Sequence, residues 1–342
     1  MSLNIISRYR SVLFGISIIS IILFHYCEDY VNAFQDGNVG SNLIIFGYYK
    51  VISSIGVEIF IFLSGLGLFY SMSNNSNVMR FYEKRVKRLI IPYVIVGIIF
   101  WSIIDFALNK DGIVQFIKDF TFITFFTEGQ RAIWFVGIIF IFYLIFPLIY
   151  KLIISKGGII KTLILMIGIY GINYGIWQLW PNIYDNIEIG IMRFPIFILG
   201  ALCAYLIKND VQNQNKIMIF FAIAIGLALK LADVFVDMPQ YWSRIITTFY
   251  AIALILIVCI IVDKLHWMKF NSAMEKVGEY SLELYMIHVC LRKIMKSIGA
   301  YTCEFHIYIG IIIISIILSI FLHKSINLIN FKYQTQQNNN IY

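Results

Sequence analysis

Apolar residues run through this chain in long unbroken blocks, with the length of membrane-crossing helices rather than the alternation of strands. A window of about 19 residues, enough to cross roughly 30 Å of hydrocarbon, picks out ten segments. They are about 11–29, 51–72, 87–107, 132–151, 159–178, 188–207, 216–234, 244–263, 278–298 and 305–326. The connections between them are short. The pattern therefore predicts an all-α fold, a polytopic integral membrane protein with about ten transmembrane helices in one bundle. A single domain is expected over 1–333, followed by a polar tail at 334–342 that is read as disordered. The segment 216–234 is the weakest, because it carries Lys230 and Asp233. The first block follows Arg8-Tyr-Arg10 as a signal peptide would, but no small-x-small site follows it, so it is read as a retained span.

Composition sharpens this picture. Of 342 residues, 60% are hydrophobic and only 13% are charged, against about 25% charged in soluble domains. The net charge of +8 could suggest nucleic acid, but the basic residues sit mostly in alternate loops, as topology requires. Residues 80–88 alone supply Arg80, Lys84, Arg85, Lys87 and Arg88. By the positive-inside rule both termini are expected in the cytoplasm of a multi-pass cell-membrane protein, with lipids as neighbours and no nucleic-acid partner. Arg292, Lys293 and Lys296 dissent, falling at the outer end of the ninth segment. The five cysteines are scattered singly and show neither metal spacing nor a disulfide framework. No metal and no permanently bound cofactor is expected.

The informative polar residues are those at membrane depth. His25 ends the uncharged run Val12 to Phe24, and Glu58 interrupts the run Ile52 to Met72. Ionisable groups at such depth face a protein interior or a wet cavity and mark pathways or reaction centres. At 1.5 Å per residue, His25 lies roughly 20 Å beyond Arg10, and Glu58 on a span of opposite direction reaches a similar level. Asp29 and Glu28 follow His25 by four and three residues, so either can share its helix face. A carboxylate on one ring nitrogen would fix the tautomer and make the other nitrogen a better base; the plainer alternative is a histidine that only bonds a neighbouring helix. Ser281, Tyr285, His288 and Arg292 form one face of the ninth segment, either a functional wall or interhelical hydrogen bonding. The basic loop is a topology signal or a dock for a phosphate-rich donor. Arg193 binds an acceptor or snorkels, and Trp134 is a belt residue or a platform for a sugar. Ser64, Gly65 and Gly67 are expected to permit close helix packing.

These motifs, in this order, resemble the membrane-bound acyltransferase-3 family over about residues 8–325. The matching pieces are Leu-Phe-His25, Gly-Val-Glu58-Ile-Phe-Ile-Phe-Leu-Ser-Gly65, Phe81-Tyr-x-Lys-Arg-x-x-Arg88-x-x-x-Pro92, Ile133-Trp134-Phe, Arg193-Phe-Pro-x-Phe-x-Leu-Gly200 and Ser281-x-x-x-Tyr285-x-Ile-His288. The family moves acyl groups, commonly acetyl, from cytosolic coenzyme A to extracytoplasmic sugars or lipids. Three departures stand out. Phe14 occupies the position where members often carry an arginine, with Arg10 one turn nearer the cytoplasm. Lys84-Arg85 replaces the usual arginine pair, and Glu58 stands where many members have aspartate.

The resemblance implies an O-acetyltransferase of the bacterial plasma membrane acting on a cell-surface polysaccharide or its lipid-linked precursor. His25 and Glu58 are the expected catalytic pair, with Asp29, Tyr285 and His288 in support. Arg10, Lys84, Arg85 and Arg88 are expected to hold acetyl-CoA as the acyl-donor substrate, and Trp134 and Arg193 the extracytoplasmic glycan. A proton-coupled secondary transporter using the same His/Glu pair is the alternative, although no internal repeat or matched pair of broken helices supports it. Nothing in the pattern sets an oligomeric state.

Overall fold

The computed structural model describes residues 3–51, 55–209 and 216–339, with side chains as far as 328. Its elements are α1 (Asn4–Arg8), α2 (Arg10–Gln35), α3 (Leu43–Val51), α4 (Ile55–Asn74), α5 (Val78–Arg85), α6 (Ile91–Trp101), α7 (Ile113–Phe120), α8 (Ile123–Glu128), α9 (Trp134–Ile154), α10 (Gly158–Leu179), α11 (Pro181–Ile191), α12 (Phe194–Lys208), α13 (Lys216–Val236), α14 (Gln240–Leu265), α15 (Met268–Glu279), α16 (Ser281–Ser297) and α17 (Phe305–Asn339). The protein is an all-α polytopic membrane protein, and no strand occurs among the described residues. Nine helical stretches there are long and apolar enough to cross a bilayer. The tenth expected span, 278–298, is the 17-residue helix α16, whose charged groups lower its apolarity. The expected second segment includes Ile52, which lies outside the described residues. The backbone of α17 runs on as helix through 334–339, within the stretch read as a disordered tail. No Pro or Gly there breaks it; residues 340–342 lie outside the described ones.

Burial follows composition. Helix α4 is apolar on nearly every side, and it sits at the centre of the bundle. Its closest partner is α12, and the crossing is made by glycines from both helices. A Cβ on Gly65 would strike the backbone of Phe197, and one on Gly200 would strike the backbone of Phe62. Small residues that let two backbones approach are the usual means of packing helices in lipid, where apolar side chains gain little from leaving the solvent. Helices α10 and α13 stay peripheral, with only 17% and 11% of their apolar windows buried. The charges that weakened segment 216–234 neutralise each other: Lys230 Nζ lies 2.7 Å from Asp233 Oδ2, which also accepts from Ser243.

Two π-helical turns flank α6, at Val86–Ile90 and Ser102–Leu108. The first opens just ahead of Pro92, which has no N–H to continue an α-helical ladder. Arg88 lies on this wide turn and Arg85 just before it. Helix α15 lies across α2, and Gly278 reaches the backbone of Ser11. This brings the start of α16 beside the start of α2.

Candidate active site

Helices α2 and α16 run side by side, and their polar residues build two cavities at opposite ends of the pair. The larger, about 830 Å³, is lined by Phe24, His25 and Glu28 from α2 and by Tyr285, Val289 and Arg292 from α16. Trp134, Arg193 and Arg244 close its other side. His288, fully buried, lies next to His25 with ring centroids 5.6 Å apart and planes 14° from parallel. The Tyr308 hydroxyl donates to the Ile22 carbonyl at 2.5 Å and stands 3.0 Å from His288 Nε2. With the tyrosine proton committed to the carbonyl, His288 Nε2–H is the donor to Tyr308, and Nδ1 carries the lone pair. His288 Nδ1 and His25 Nδ1 are both buried without a hydrogen-bond partner among the described residues.

The expected contact between His25 and Glu58 is not made. Glu58 pairs instead with Arg193 at 2.8 Å, both nearly fully buried. Arg193 lies over the Trp134 ring at 5.2 Å and also donates to the Ile189 carbonyl. Asp29 and Glu28 are likewise taken. Arg292 Nε donates to Asp29 Oδ2 at 2.6 Å, its Nη2 to Glu28 at 2.7 Å, and Lys296 reaches Asp29 at 2.7 Å. The physical reason is charge. A buried carboxylate needs a full countercharge, which a guanidinium always carries and matches with its planar fork, whereas an imidazole is neutral half the time or more. Trp134 is correspondingly no belt residue: it is buried beneath Arg193 rather than set at a lipid boundary.

One cluster escaped the sequence reading. Glu188 on α11 is fully buried and accepts from Arg244 Nε at 2.6 Å, Gln240 at 2.7 Å and Arg131 at 3.4 Å. An acid flanked by isoleucines in an apolar segment, Ile187-Glu188-Ile189, was the available signal, of the same kind as His25.

At the other end, a cavity of about 130 Å³ is lined by Arg10, Arg85 and Arg88, with Ser64, Gly67, Tyr143 and Ser281. No carboxylate lines it among the described residues. Arg85 donates to Ser71 at 3.0 Å and lies over the rings of Phe81 and Tyr143, and Arg88 donates to the Glu279 carbonyl at 3.1 Å. The Nε atoms of Arg10 and Arg85 are buried without partners among the described residues. Arg10 lies over Phe14, and its guanidinium fills the space left by the missing Cβ of Gly67. The cavity thus gathers three guanidinium groups with no carboxylate among its described lining residues. Lys84 is exposed and does not line it.

An aromatic layer separates the cavities. Phe14 meets Phe60 at 4.8 Å, Phe60 meets Phe135 at 5.3 Å, and Phe135 meets Tyr285 at 5.2 Å. Ser281 lines the small cavity and Tyr285, one turn later, lines the large one, so the step between them along α16 is only about 6 Å. Along α2, Arg10 and His25 are about 22 Å apart.

The chain is similar to proteins of Staphylococcus aureus named "Probable poly-beta-1,6-N-acetyl-D-glucosamine export protein". For strain MSSA476 the identity is 25% over 309 residues, covering 83% of this chain and 81% of the relative. For strain MRSA252 it is 24% over 305 residues with the same coverage. No solved structure matches the chain at a significant level. A family model described as an acyltransferase domain matches residues 13–324, a stretch that takes in the large cavity and, apart from Arg10, the lining of the small one, and the chain therefore belongs to the acyltransferase-3 family.

Proposed function

We propose that this protein is an O-acyltransferase, an acetyltransferase in the simplest case, that passes an acyl group through the bilayer from cytosolic acetyl-CoA to a hydroxyl of a cell-surface polysaccharide or its lipid-linked precursor. The observation that carries this is the pairing of an arginine cavity at one end of α2 with a histidine cavity at the other. The positive-inside rule puts the Arg10, Arg85 and Arg88 end in the cytoplasm. There the nucleotide phosphates of the donor meet guanidinium groups, and the pantetheine arm, on the order of 15–20 Å when extended, reaches past Phe14 and Phe60 toward His25.

The chemistry needs only a base. His25 takes the proton of the acceptor hydroxyl as the oxygen attacks the thioester carbonyl; the ester forms, the C–S bond breaks, and the proton passes from the imidazolium to the departing CoA thiolate. Glu58, held by Arg193, acts by fixing that arginine over Trp134 at the acceptor side rather than by orienting His25. Tyr285 stands where the two cavities approach and offers a hydroxyl to a tetrahedral oxyanion.

Export is a second reading, favoured by the names of the similar Staphylococcus aureus proteins. The two readings part on products. An acyltransferase leaves O-acyl groups on the envelope polysaccharide that vanish when the gene is deleted, as a proton NMR spectrum of purified polymer records. Polymer with unchanged acylation but lost from the cell surface would favour export.

A further inference from the structure

We infer that the large cavity is built for an anionic acceptor, a glycan bearing a phosphate or carboxylate group close to the hydroxyl that is acylated. This deepens the acyltransferase reading above and rests on it for the word acceptor.

Three carboxylates reach the cavity, Glu28, Asp233 and Asp237, and the last two are neutralised by Lys230 and Lys50; around the remaining cations the walls are layered by charge. Arg292 and Lys296 reach the cavity, whereas their partner Asp29 lies behind them, fully buried and not part of the lining. Across the cavity Arg131 and Arg244 line the wall, and their shared partner Glu188 is again fully buried behind. The carboxylates are too few for the cations they hold. On the α16 side, Arg292, Lys293 and Lys296 stand against Glu28 and Asp29, three cations to two carboxylates. On the far side, Arg131 and Arg244 stand against Glu188 alone, two to one. Each wall thus presents a surplus positive charge toward the space that His25 lines.

Three arguments turn this into a substrate class. A concave, low-dielectric site focuses such a field and raises the local concentration of a ligand of opposite sign. Planar guanidinium groups match carboxylate and phosphate oxygens in pairs, which a neutral sugar does not offer. Finally, Arg292, Lys293 and Lys296 violate the positive-inside rule, and a ligand at that end gives them a reason to be there. The negative end of the α16 dipole accounts for cations in its own last turn but not for Arg131 and Arg244 on the opposite wall.

The test uses the full-length protein in detergent, titrated calorimetrically without acyl-CoA. The probes are an oligogalacturonate, a glycerol-phosphate oligomer and a neutral malto-oligosaccharide of equal length. At least one anionic probe should bind about tenfold or more tighter than the neutral one, and more weakly as salt rises. Comparing the two anionic probes tells carboxylate from phosphate. The double variant Lys293→Gln/Lys296→Gln, checked for an unchanged unfolding midpoint, should lose most of that preference. Equal binding of neutral and anionic probes, no binding of either anion, or a preference that survives in the double variant would overturn the inference. The acyltransferase reading is judged separately: anionic probes that bind but are never acylated in the presence of acetyl-CoA uphold the charge selectivity and sink the acyl transfer.

Discussion

A histidine at membrane depth with two carboxylates near it in sequence and a third expected at its level would be expected to lean on one of them. Here every one of those carboxylates is bound to an arginine, and the neighbour of His25 is another imidazole, itself tied through Tyr308 to the backbone of Ile22. Replacing His25 by Ala should abolish acyl transfer while the protein still inserts and accumulates, because its Nδ1 supports no hydrogen bond within the described structure. Wild-type turnover in that variant, at matched expression, would remove His25 from the mechanism. Glu58 leads to a different expectation. Glu58→Gln should destabilise by about 3–5 kcal/mol, since it leaves Arg193 as an uncompensated buried charge. The double variant Glu58→Leu/Arg193→Met should recover much of that stability and none of the activity. Thermal unfolding and acetylation assays on the same preparations separate the two effects. A double variant less stable than either single one would mean that the ion pair is not what holds this part of the bundle.

At the scale of helices, two glycines two residues apart on α4 should behave oppositely. A Cβ on Gly65 would meet the backbone of Phe197, and neither helix can yield without the other; Gly65→Ala should cut the amount of folded protein severely. A Cβ on Gly67 would meet only the far end of the Arg10 side chain. Gly67→Ala should fold normally, displace that guanidinium, and raise the KM for acetyl-CoA several-fold. Equal loss of folded protein in both variants, measured by size-exclusion yield, would contradict this distinction. Arg85→Ala and Arg88→Ala should act in the same direction as Gly67→Ala. Contacts with donor phosphates far from the reacting carbonyl contribute the same binding to ground and transition states, so the KM for the donor rises more than kcat falls. A fall in kcat at unchanged KM would make the loop a part of the chemical step or of the scaffold instead.

For the whole molecule, the sequence carried the class but not the partners. The rise of 1.5 Å per residue put His25 and Glu58 at one level. It carried no information on the rotation of α4 and α12, which turns Glu58 toward Arg193. The cluster at the Arg10 end was legible because its members share a loop and a helix start, and only Lys84 does not line the cavity. The Glu188 cluster was missed because its cations come from Arg131 and Arg244, distant in sequence and ordinary as loop or interfacial charges. Helix α16 was read as a full span from its apolar residues, but its polar face makes it the shared wall of both cavities, which a hydropathy window averages away.

The central claim is that an acyl group crosses from a donor at the arginine cavity to an acceptor at the histidine cavity while the rest of the donor stays behind. Sealed inside-out vesicles test it most directly, with acetyl-CoA labelled separately in its acetyl and CoA parts added outside and the envelope glycan enclosed within. The account predicts acetyl label on the enclosed glycan and CoA label confined to the outside medium, with the acetyl label absent from the glycan in vesicles carrying His25→Ala. CoA label accumulating in the lumen, or acetylation only of glycan supplied on the outside of such vesicles, would contradict it.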